Sequence, residues 1–354
     1  LVTGQESIRG QVVLRAAGIG RIPVINVENA CASASTAFNQ ASAMASLGCY
    51  DVVLALGVEK LYHADKQKSF AAFSGAVDVE ELVEIKARLA QEAAASGAST
   101  AASGAGEKRS MFMDFYAASA RAYMEKYGAT AADLAGVSAK NSFHGSLNSR
   151  AQFRGVLTVE EVLGAPMIAE PLTRPMCSPI GDGAAAVVLV SERKARELGL
   201  ARPVRVAASV LRSGWDRAED EETVAEVCAR EAYEAAGVGP GDLSVIELHD
   251  ASAPAEITTY EKLGLCGEGQ GAELIRDGVT KLGGRLPVNT SGGLLRKGHP
   301  VGATGIAQIV ELTEQLQGRA GKRQVEGAKL ALAHNGGGSL GSDAAAMCVT
   351  ILGR

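Results

Sequence analysis

Gly298-His-Pro-Val-Gly-Ala-Thr-Gly305 is the stretch of sequence that decides the fold. It follows a short apolar run at 286–289, and it precedes a predicted helix over about 302–317 and an apolar run at 329–333. A continuous apolar run of this length is typical of a buried strand. The order strand, glycine-rich turn, small-residue helix, strand predicts an α/β unit that holds His299 in its turn.

The same order of elements occurs near the start of the chain. An apolar run at 23–28 leads into Asn29-Ala-Cys31, a predicted helix over 32–47 and a predicted strand over 51–57. We interpret this as a weak internal duplication, which rests on the order of elements because few residues match. A chain of 354 residues exceeds the usual size of one core. We therefore predict two halves, at 1–200 and 201–354.

The region 62–175 differs from both copies and is predicted to be an insertion that lies over the main fold. It contains three predicted helices and a tract of Ala, Ser and Gly at 91–106 without periodicity, which is typical of a surface excursion. The predicted helices cover 81–92, 111–127 and 130–141.

The composition excludes several classes of protein. Apolar residues make up 47% and charged residues 21%, which excludes a disordered chain. The net charge of −5 and the lack of a basic block argue against nucleic acid, and no apolar run is long enough for a membrane span. The six cysteines form no CxxC pair, which favours a reducing cytoplasm. The 42 glycines and only 4% aromatics predict close backbone approaches.

Cys31 and three histidines are the candidate catalytic residues. Cys31 lies at a predicted helix start, where the helix dipole should lower the pKa of a thiol. His249, His299 and His334 each follow a predicted strand or lie in a glycine-rich turn. A cysteine with convergent His and Asn is a nucleophile with its base, although each residue alone is more often structural. No His or Cys pair has metal-ligand spacing, so we predict no metal. Cys49, Cys177, Cys228 and Cys348 are predicted to be packing residues.

Three stretches together resemble the thiolase family. They are Asn29-Ala-Cys-Ala-Ser33, the 289–305 loop with its GHPVGATG element, and Gly181-Asp-Gly-Ala-Ala-Ala186. His249-Asp250, His334-Asn335 and the loop at 263–271 resemble the sterol-carrier-protein type of thiolase. The resemblance covers essentially the whole chain. It implies a duplicated five-layer αβαβα sandwich with 62–175 as the loop domain over coenzyme A. It also predicts that the family's opening strand and helix are absent from this sequence.

The resemblance implies roles for individual residues. Cys31 corresponds to the nucleophile that accepts the acyl group, and His299 to the base that activates it. His249 and the glycine-rich loops near His334 correspond to the oxyanion holes. The residues that would support these groups are Asn335, Gly337, Asn289 and Asp250. Coenzyme A is implied as a substrate without a permanently bound cofactor, in a cytoplasmic homodimer of lipid metabolism.

The chain departs from the family at the second catalytic cysteine. The two positions at which thiolases carry it are Ala251 and His334 here, and Ser252 replaces a neighbouring Phe. Three functions remain open. The first is cleavage or formation of a 3-oxoacyl-CoA through an acyl-cysteine, on a bulky aromatic or sterol-derived acyl group. The second is a retro-aldol lyase on a 3-hydroxyacyl-CoA with a small zinc-ribbon, acyl-CoA-binding partner. The third is a non-catalytic acyl-CoA-binding subunit of a larger complex.

Overall fold

A computed structural model of the chain describes residue 5 and residues 7–95, 109–218 and 220–354. The helices are α1 (Arg9–Ala16), α2 (Ser33–Ser46), α3 (Lys66–Ala71), α4 (Leu82–Ala95), α5 (Phe112–Tyr127), α6 (Ala131–Ser146), α7 (Val159–Leu163), α8 (Glu192–Glu197), α9 (Val224–Ala236), α10 (Ala253–Lys262), α11 (Gly271–Arg276), α12 (Gly293–Lys297) and α13 (Thr304–Leu316). The strands are β1 (Val52–Glu59), β2 (Met167–Ala169), β3 (Leu172–Thr173), β4 (Gly183–Val190), β5 (Arg205–Ser213), β6 (Val245–Glu247), β7 (Leu330–Gly337) and β8 (Ala346–Gly353).

Two sheets enclose the buried helices α2 and α13. Strands β1 and β4 pair antiparallel, and the second sheet has the order β5-β8-β7-β6. Helix α2 packs on β1 and β5, and α13 packs on β4 and β7, so both helices lie between the sheets. Helix α9 covers the other face of the second sheet through β5 and β8. This layered arrangement confirms the predicted α/β class.

The outer face of the β1–β4 sheet is open to solvent in the described residues. Val53 and Ala55 face the core, whereas Val52 is 51% exposed and Val188 is 64% exposed. The layers that the described residues supply therefore run from this first sheet, through α2 and α13, to the second sheet and α9. None of the helices in those residues combines the length and apolarity needed to cross a membrane.

Three predicted elements differ from the structure. The run at 23–28 forms no strand, and the side chain of Asn26 accepts a hydrogen bond from Gly10 N at 2.7 Å instead. The sequence at 217–236 predicts one helix, whereas α9 begins only at Val224, because Thr223 and Glu226 form a capping box there. Strand β7 continues to Gly337, since it pairs with β8 along its whole length. His334 is therefore inside this strand.

The inserted region packs on the second half of the chain. Helices α4, α5 and α6 confirm the three predicted helices, and Thr130 caps α6. Leu134 and Leu172 of this region share a core with Ile257 of α10 and Leu295 of α12. The insertion thus forms one wall of a cavity that is also lined by Cys31, by α10 and by strands β7 and β8. Residues 96–106 of the predicted excursion lie outside the described residues.

Candidate active site

Cys31 lies in a tight turn immediately before α2. Residues Ala30–Ala32 form one 3₁₀ turn, and Ala30 has a φ of 47°, in the left-handed region that L-residues seldom adopt. The carboxylate of Glu28 accepts hydrogen bonds from Ala30 N at 3.1 Å and from Ser33 Oγ at 2.7 Å. These bonds hold the strained turn that presents the thiol.

Gly337 allows the end of β7 to reach this turn. A Cβ at Gly337 would lie 2.1 Å from Asn29 O and 2.5 Å from Ala32 N, both of which are backbone atoms. A side chain here would push the Cys31 turn away from β7. The predicted supporting role of Gly337 therefore has a steric basis.

His299 contacts Cys31 through one nitrogen and Thr304 through the other. The distance from His299 Nε2 to Cys31 Sγ is 3.3 Å, and that from His299 Nδ1 to Thr304 Oγ1 is 2.8 Å. Thr304 Oγ1 donates its proton to Pro300 O at 3.1 Å. It can therefore only accept from His299, which places a proton on Nδ1 and leaves the Nε2 lone pair facing the thiol. No role for Thr304 was predicted from the sequence, although it lies within the Gly298–Gly305 stretch.

Cys31 and His299 form a neutral pair. Burial, followed by the charge of Glu59, raises the pKa of Cys31 to about 12. Burial and the neighbouring His249 hold the pKa of His299 well below its usual value. The expectation that the helix start lowers the thiol pKa is wrong, because desolvation outweighs the dipole at this depth. To act as a nucleophile, this thiol would have to transfer its proton to His299.

His249 is oriented by a chain of side-chain hydrogen bonds. Ser35 Oγ donates to Asn335 Oδ1 at 2.6 Å, and Asn335 Nδ2 donates to His249 Nδ1 at 2.8 Å. The proton of neutral His249 is therefore on Nε2. Burial lowers the pKa of His249 to about 4, so the ring is uncharged at neutral pH. The His249 ring stands perpendicular to that of His299, with their centroids 5.1 Å apart.

His334 presents a second N–H donor. Its Nδ1 accepts from His249 N at 3.4 Å, and its buried Nε2 has no hydrogen-bond partner among the described residues. Burial lowers the pKa of His334 to about 3. The neutral ring therefore carries its proton on the unpartnered Nε2. An orphaned buried donor in a cavity wall is suited to a ligand oxygen.

Backbone N–H groups also converge on the thiol. Those of Gly338 and of Cys31 itself donate toward Cys31 Sγ and lower its pKa against the larger effect of burial. Such a pair can stabilise an oxyanion formed on an acyl group attached to Cys31. The donor from this loop is Gly338, one residue after the predicted Gly337.

Asp250 and Asn289 are structural supports beneath the site. Asp250 is buried and accepts from Leu294 N at 2.7 Å, so it caps α12, which leads into His299. Asn289 Oδ1 accepts from Leu248 N at 2.9 Å, and its amide donates to Glu256 at 2.9 Å. Neither side chain lines the cavity.

The cavity above Cys31 has a volume of about 1310 Å³. Pockets for drug-sized ligands usually measure about 300–1,000 Å³, so this one suits a larger molecule. Ala251 lines it, whereas Ser252 is fully buried and is not on its wall. Ala251 therefore leaves room beside the thiol, whereas the replacement of Phe by Ser252 adds no room to the cavity.

Two cavity residues were missed in the sequence. Cys177, predicted to be a packing residue, lies on the cavity wall, and its backbone pairs with that of Ser252. Tyr116 of α5 also lines the cavity, where burial raises the pKa of its phenol. Its hydroxyl makes no hydrogen bond within the described residues. Only a tertiary structure brings α5 and the Cys31 turn together.

Cys31, His249 and His299 also lie close enough to suggest a metal site. One ligand atom from each residue lies within 4.8 Å of the others. The donor set does not fit an ion, because Asn335 donates to His249 Nδ1 and so leaves a proton on Nε2. The absence of a metal stays a prediction.

Comparisons with known proteins agree with this geometry. A model described as "Thiolase, N-terminal domain" matches residues 2–193, and one described as "Thiolase C-terminal domain-like" matches residues 213–354. The chain belongs to the thiolase family. The resemblance inferred from the Cys31 and His299 motifs is thereby confirmed, and a thiolase of this kind is an acyl-CoA acyltransferase.

Several curated thiolase relatives cover most of the chain. Benzoylsuccinyl-CoA thiolase subunit BbsB of Thauera aromatica is 38% identical over 94% of this chain and 81% of its own length. An acetyl-CoA acetyltransferase of Methanothermobacter thermautotrophicus is 40% identical over 93% and 80%, respectively. Human sterol carrier protein 2 is 36% identical over 94% of this chain but only 60% of its own length.

Solved structures share the thiolase fold. The "Ltp2-ChsH2(DUF35) aldolase" superposes with a TM-score of 0.72 at 24% identity, covering 97% of this chain and 83% of that one. Human mitochondrial 3-ketoacyl-CoA thiolase gives a TM-score of 0.65 at 14% identity, covering 97% and 82%. At these identities the likeness concerns the fold, and the predicted thiolase fold class is confirmed.

Proposed function

We propose that this thiolase cleaves, or in reverse forms, the C2–C3 bond of a 3-oxoacyl-CoA through an acyl group on Cys31. The observation that carries the proposal is the 3.3 Å contact between Cys31 Sγ and the unprotonated Nε2 of His299. In such a pair the thiol can attack while its proton passes to the base. Coenzyme A is then a substrate rather than a resident cofactor.

His299 alone can carry the proton through the reaction. Cys31 Sγ attacks the 3-oxo carbon while its proton moves to His299 Nε2. The C2–C3 bond breaks, its electron pair leaves on the thioester enolate, and His299 returns the proton to C2. Free coenzyme A then attacks the acyl group and gives its thiol proton to His299, from which the departing Cys31 sulfur takes it. No step requires the thiol that Ala251 and His334 replace.

His249 and His334 stabilise the thioester enolate as neutral donors. Both rings carry a proton on Nε2, because Nδ1 of each ring accepts a hydrogen bond. Because the pKa of His334 is about 3, its ring would not become charged to deliver a proton at neutral pH. Fixed donors of this kind typically contribute about 10²–10³-fold to a rate.

Glutamine variants distinguish a histidine that carries a proton, as proposed for His299, from one that only donates a hydrogen bond, as proposed for His334. Glutamine keeps an N–H donor but cannot accept and return a proton. We expect His299→Gln to lower kcat for thiolysis by more than about 10³-fold, and His334→Gln by less than about 10-fold. If His334→Gln is as slow as His299→Gln while binding coenzyme A normally, His334 carries a proton and the one-base scheme is wrong.

The acyl-enzyme itself is testable by mass spectrometry. Wild-type protein mixed with a 3-oxoacyl-CoA, without free coenzyme A, should gain the acyl mass on the peptide that contains Cys31. Cys31→Ala should show no adduct and no thiolysis, with Cys49→Ala as the control because Cys49 is exposed. Normal thiolysis by Cys31→Ala would refute the proposal.

The acyl group is proposed to be bulky. The cavity volume and the small side chains of Ala251 and Ala255 on its wall support this. Two relatives are named for large ligands, a benzoylsuccinyl-CoA thiolase and a sterol carrier protein. A panel of aliphatic, aromatic and steroid 3-oxoacyl-CoA esters ranks the candidates by kcat/KM.

The lack of a second cysteine favours a retro-aldol lyase as the alternative function. A lyase acting on a 3-hydroxyacyl-CoA needs no acyl-cysteine, and it releases an aldehyde or ketone rather than a second thioester. A Cys31 adduct would exclude it, and carbonyl release without an adduct would favour it. A non-catalytic subunit would produce neither product, and would show no burst of coenzyme A.

The assembly also stays a proposal. A homodimer and a small zinc-ribbon partner are implied by the resemblance, and the similar proteins include one named a subunit and one solved as a complex. Light scattering of the purified chain measures whether it is a homodimer. Turnover by the isolated chain shows whether the zinc-ribbon partner is required. The cytoplasmic location also stays a prediction.

A further inference from the structure

The cavity extends away from Cys31 along one face of α10. Ala255, Thr259 and Lys262 recur at helical spacing and all line it, together with Thr258. The opposite wall is formed by 341–344 and by Met347 of β8. Seven residues of helix separate Ala255 from Lys262, or about 10 Å of rise. The helix face that lines this arm is therefore about as long as a medium-length acyl chain.

Lys262 closes this arm with an uncommitted ammonium group. It is half-buried, and within the described residues it makes no hydrogen bond or ion pair. Thr259, one turn earlier, is buried on the same wall, and its hydroxyl also lacks a partner in those residues. Two polar donors therefore face the same end of the cavity.

The acidic groups near Lys262 are committed elsewhere. Asp343 accepts from Val224 N at 2.6 Å and from Ala344 N at 2.9 Å, and Arg217 Nε lies 3.8 Å from its carboxylate. Glu226 is engaged with Thr223 in the capping box of α9. Glu261 accepts from Gly271 N at 2.9 Å. Burial lowers the pKa of Lys262 despite these three carboxylates, and the charge of Arg217 lowers it further, so the positive charge of Lys262 is poorly compensated. A desolvated, unpaired cation favours an anionic partner.

We propose that Lys262 and Thr259 bind a carboxylate at the far end of the acyl chain. The preferred substrates would then be ω-carboxylated acyl-CoA esters, with the thioester at Cys31 and the second acid group at Lys262. The inference rests on the proposed function for its acyl-CoA ligand. It adds the class of acyl group that the cavity selects.

A phosphate of coenzyme A is the other anion that Lys262 could hold. The structure favours the acyl carboxylate, because other cations line the cavity on the inserted region. The cavity-lining cations of the inserted region that are exposed are Lys66, Arg88 and Arg174. Lys262 lies instead on α10 of the second half, about two helical turns after Ala255.

Binding of matched thioesters tests the inference without turnover. In a Cys31→Ala background, calorimetry compares suberoyl-CoA with octanoyl-CoA, adipoyl-CoA with hexanoyl-CoA, and sebacoyl-CoA with decanoyl-CoA. We expect at least one carboxylated ester to bind about 10–100-fold more tightly than its methyl-ended partner. Adding Lys262→Met should abolish the difference, and Lys262→Arg should retain most of it. Lys322→Met, at an exposed lysine outside the cavity, is the matched control.

Two results would overturn the inference. Equal affinities within every pair would show that the arm does not select a carboxylate. An equal loss for both members of each pair in Lys262→Met, with Lys262→Arg normal, would assign Lys262 to a coenzyme A phosphate. Failure of the proposed function is distinguishable, because these affinities do not depend on acyl transfer to Cys31.

Discussion

Replacing Thr304 with valine should slow the reaction without touching either catalytic group. Thr304 Oγ1 accepts the Nδ1 proton of His299 at 2.8 Å, and Thr304 is fully buried. Valine has the same shape but no acceptor. The Nδ1–H of His299 would be left without a partner, and the tautomer that bears its proton on Nε2 would gain in population. That tautomer points a proton, rather than a lone pair, at Cys31.

The size of the effect follows from the cost of the lost bond. A buried donor left unsatisfied costs about 1–3 kcal/mol. Each 1.4 kcal/mol corresponds to about tenfold in a population, so the base-competent tautomer should decrease by about 5–150-fold. We expect kcat/KM for thiolysis to fall by the same factor. Thr304→Ser keeps the hydroxyl and should stay within about threefold of wild type.

Two measurements report on the pair. Thiolysis of a 3-oxoacyl-CoA gives kcat/KM, and peptide mass spectrometry gives the rate at which iodoacetamide alkylates Cys31. Alkylation depends on the ability of His299 to take the thiol proton, so both rates should fall together in Thr304→Val. Urea unfolding of each variant separates this effect from a loss of fold.

A fast valine variant would refute the reasoning. If Thr304→Val is folded and both rates equal those of wild type, then Thr304 does not set the tautomer. If Thr304→Ser is as slow as Thr304→Val, packing rather than the hydroxyl is responsible.

Three further perturbations test the surroundings of the site. In Asn335→Asp the new carboxylate would accept a hydrogen bond from His249 Nδ1, so the ring proton would move from Nε2 to Nδ1 and the Nε2 donor would be lost. We expect kcat to fall about 100-fold, and the ¹⁵N chemical shifts of the His249 ring to show the changed tautomer. Gly337→Ala places a Cβ 2.1 Å from Asn29 O and should cost about 1–3 kcal/mol in urea unfolding; an unchanged midpoint would contradict the close approach. His144 is fully buried, and burial lowers its pKa to about 3 from 6.5. Between pH 6.5 and 3 only the unfolded chain therefore binds a proton at this residue, and the free energy of unfolding should fall by about 1.4 kcal/mol for each pH unit of acidification. His144→Gln should reduce that slope between pH 7 and 5, and an identical slope would argue against it.

The sequence predicted the parts of the site that depend on local order. Cys31 and His299 each lie in a turn before a small-residue helix, and both turns were visible in the chain. The boundaries that failed depend on contacts between distant residues. Strand β7 is longer than its apolar run because β8 pairs with it, and 23–28 forms no strand despite its apolar residues.

Proton positions could not be predicted in the same way. The tautomer of His249 depends on Asn335 and Ser35, which lie on different elements of the fold. Thr304 was within reach of the sequence, because it lies five residues after His299 at a helix start. Its hydroxyl has meaning only once the loop brings it back onto the imidazole. Tyr116 and Lys262 carried no local signal of this kind.

The missing second cysteine has a physical explanation in this cavity. Burial raises the pKa of Cys31 to about 12 and that of Cys177, on the same wall, to about 12 as well. A thiol at position 251 would be surrounded by the same low-dielectric wall and would resist ionisation equally. It could exchange protons only through a base held against it, as His299 is held against Cys31. With one such base already fixed by Thr304, a proton that leaves Cys31 can return to the substrate from the same nitrogen. In the proposed one-base scheme the second thiol is then dispensable, and the space beside Ala251 is free to accommodate the acyl group.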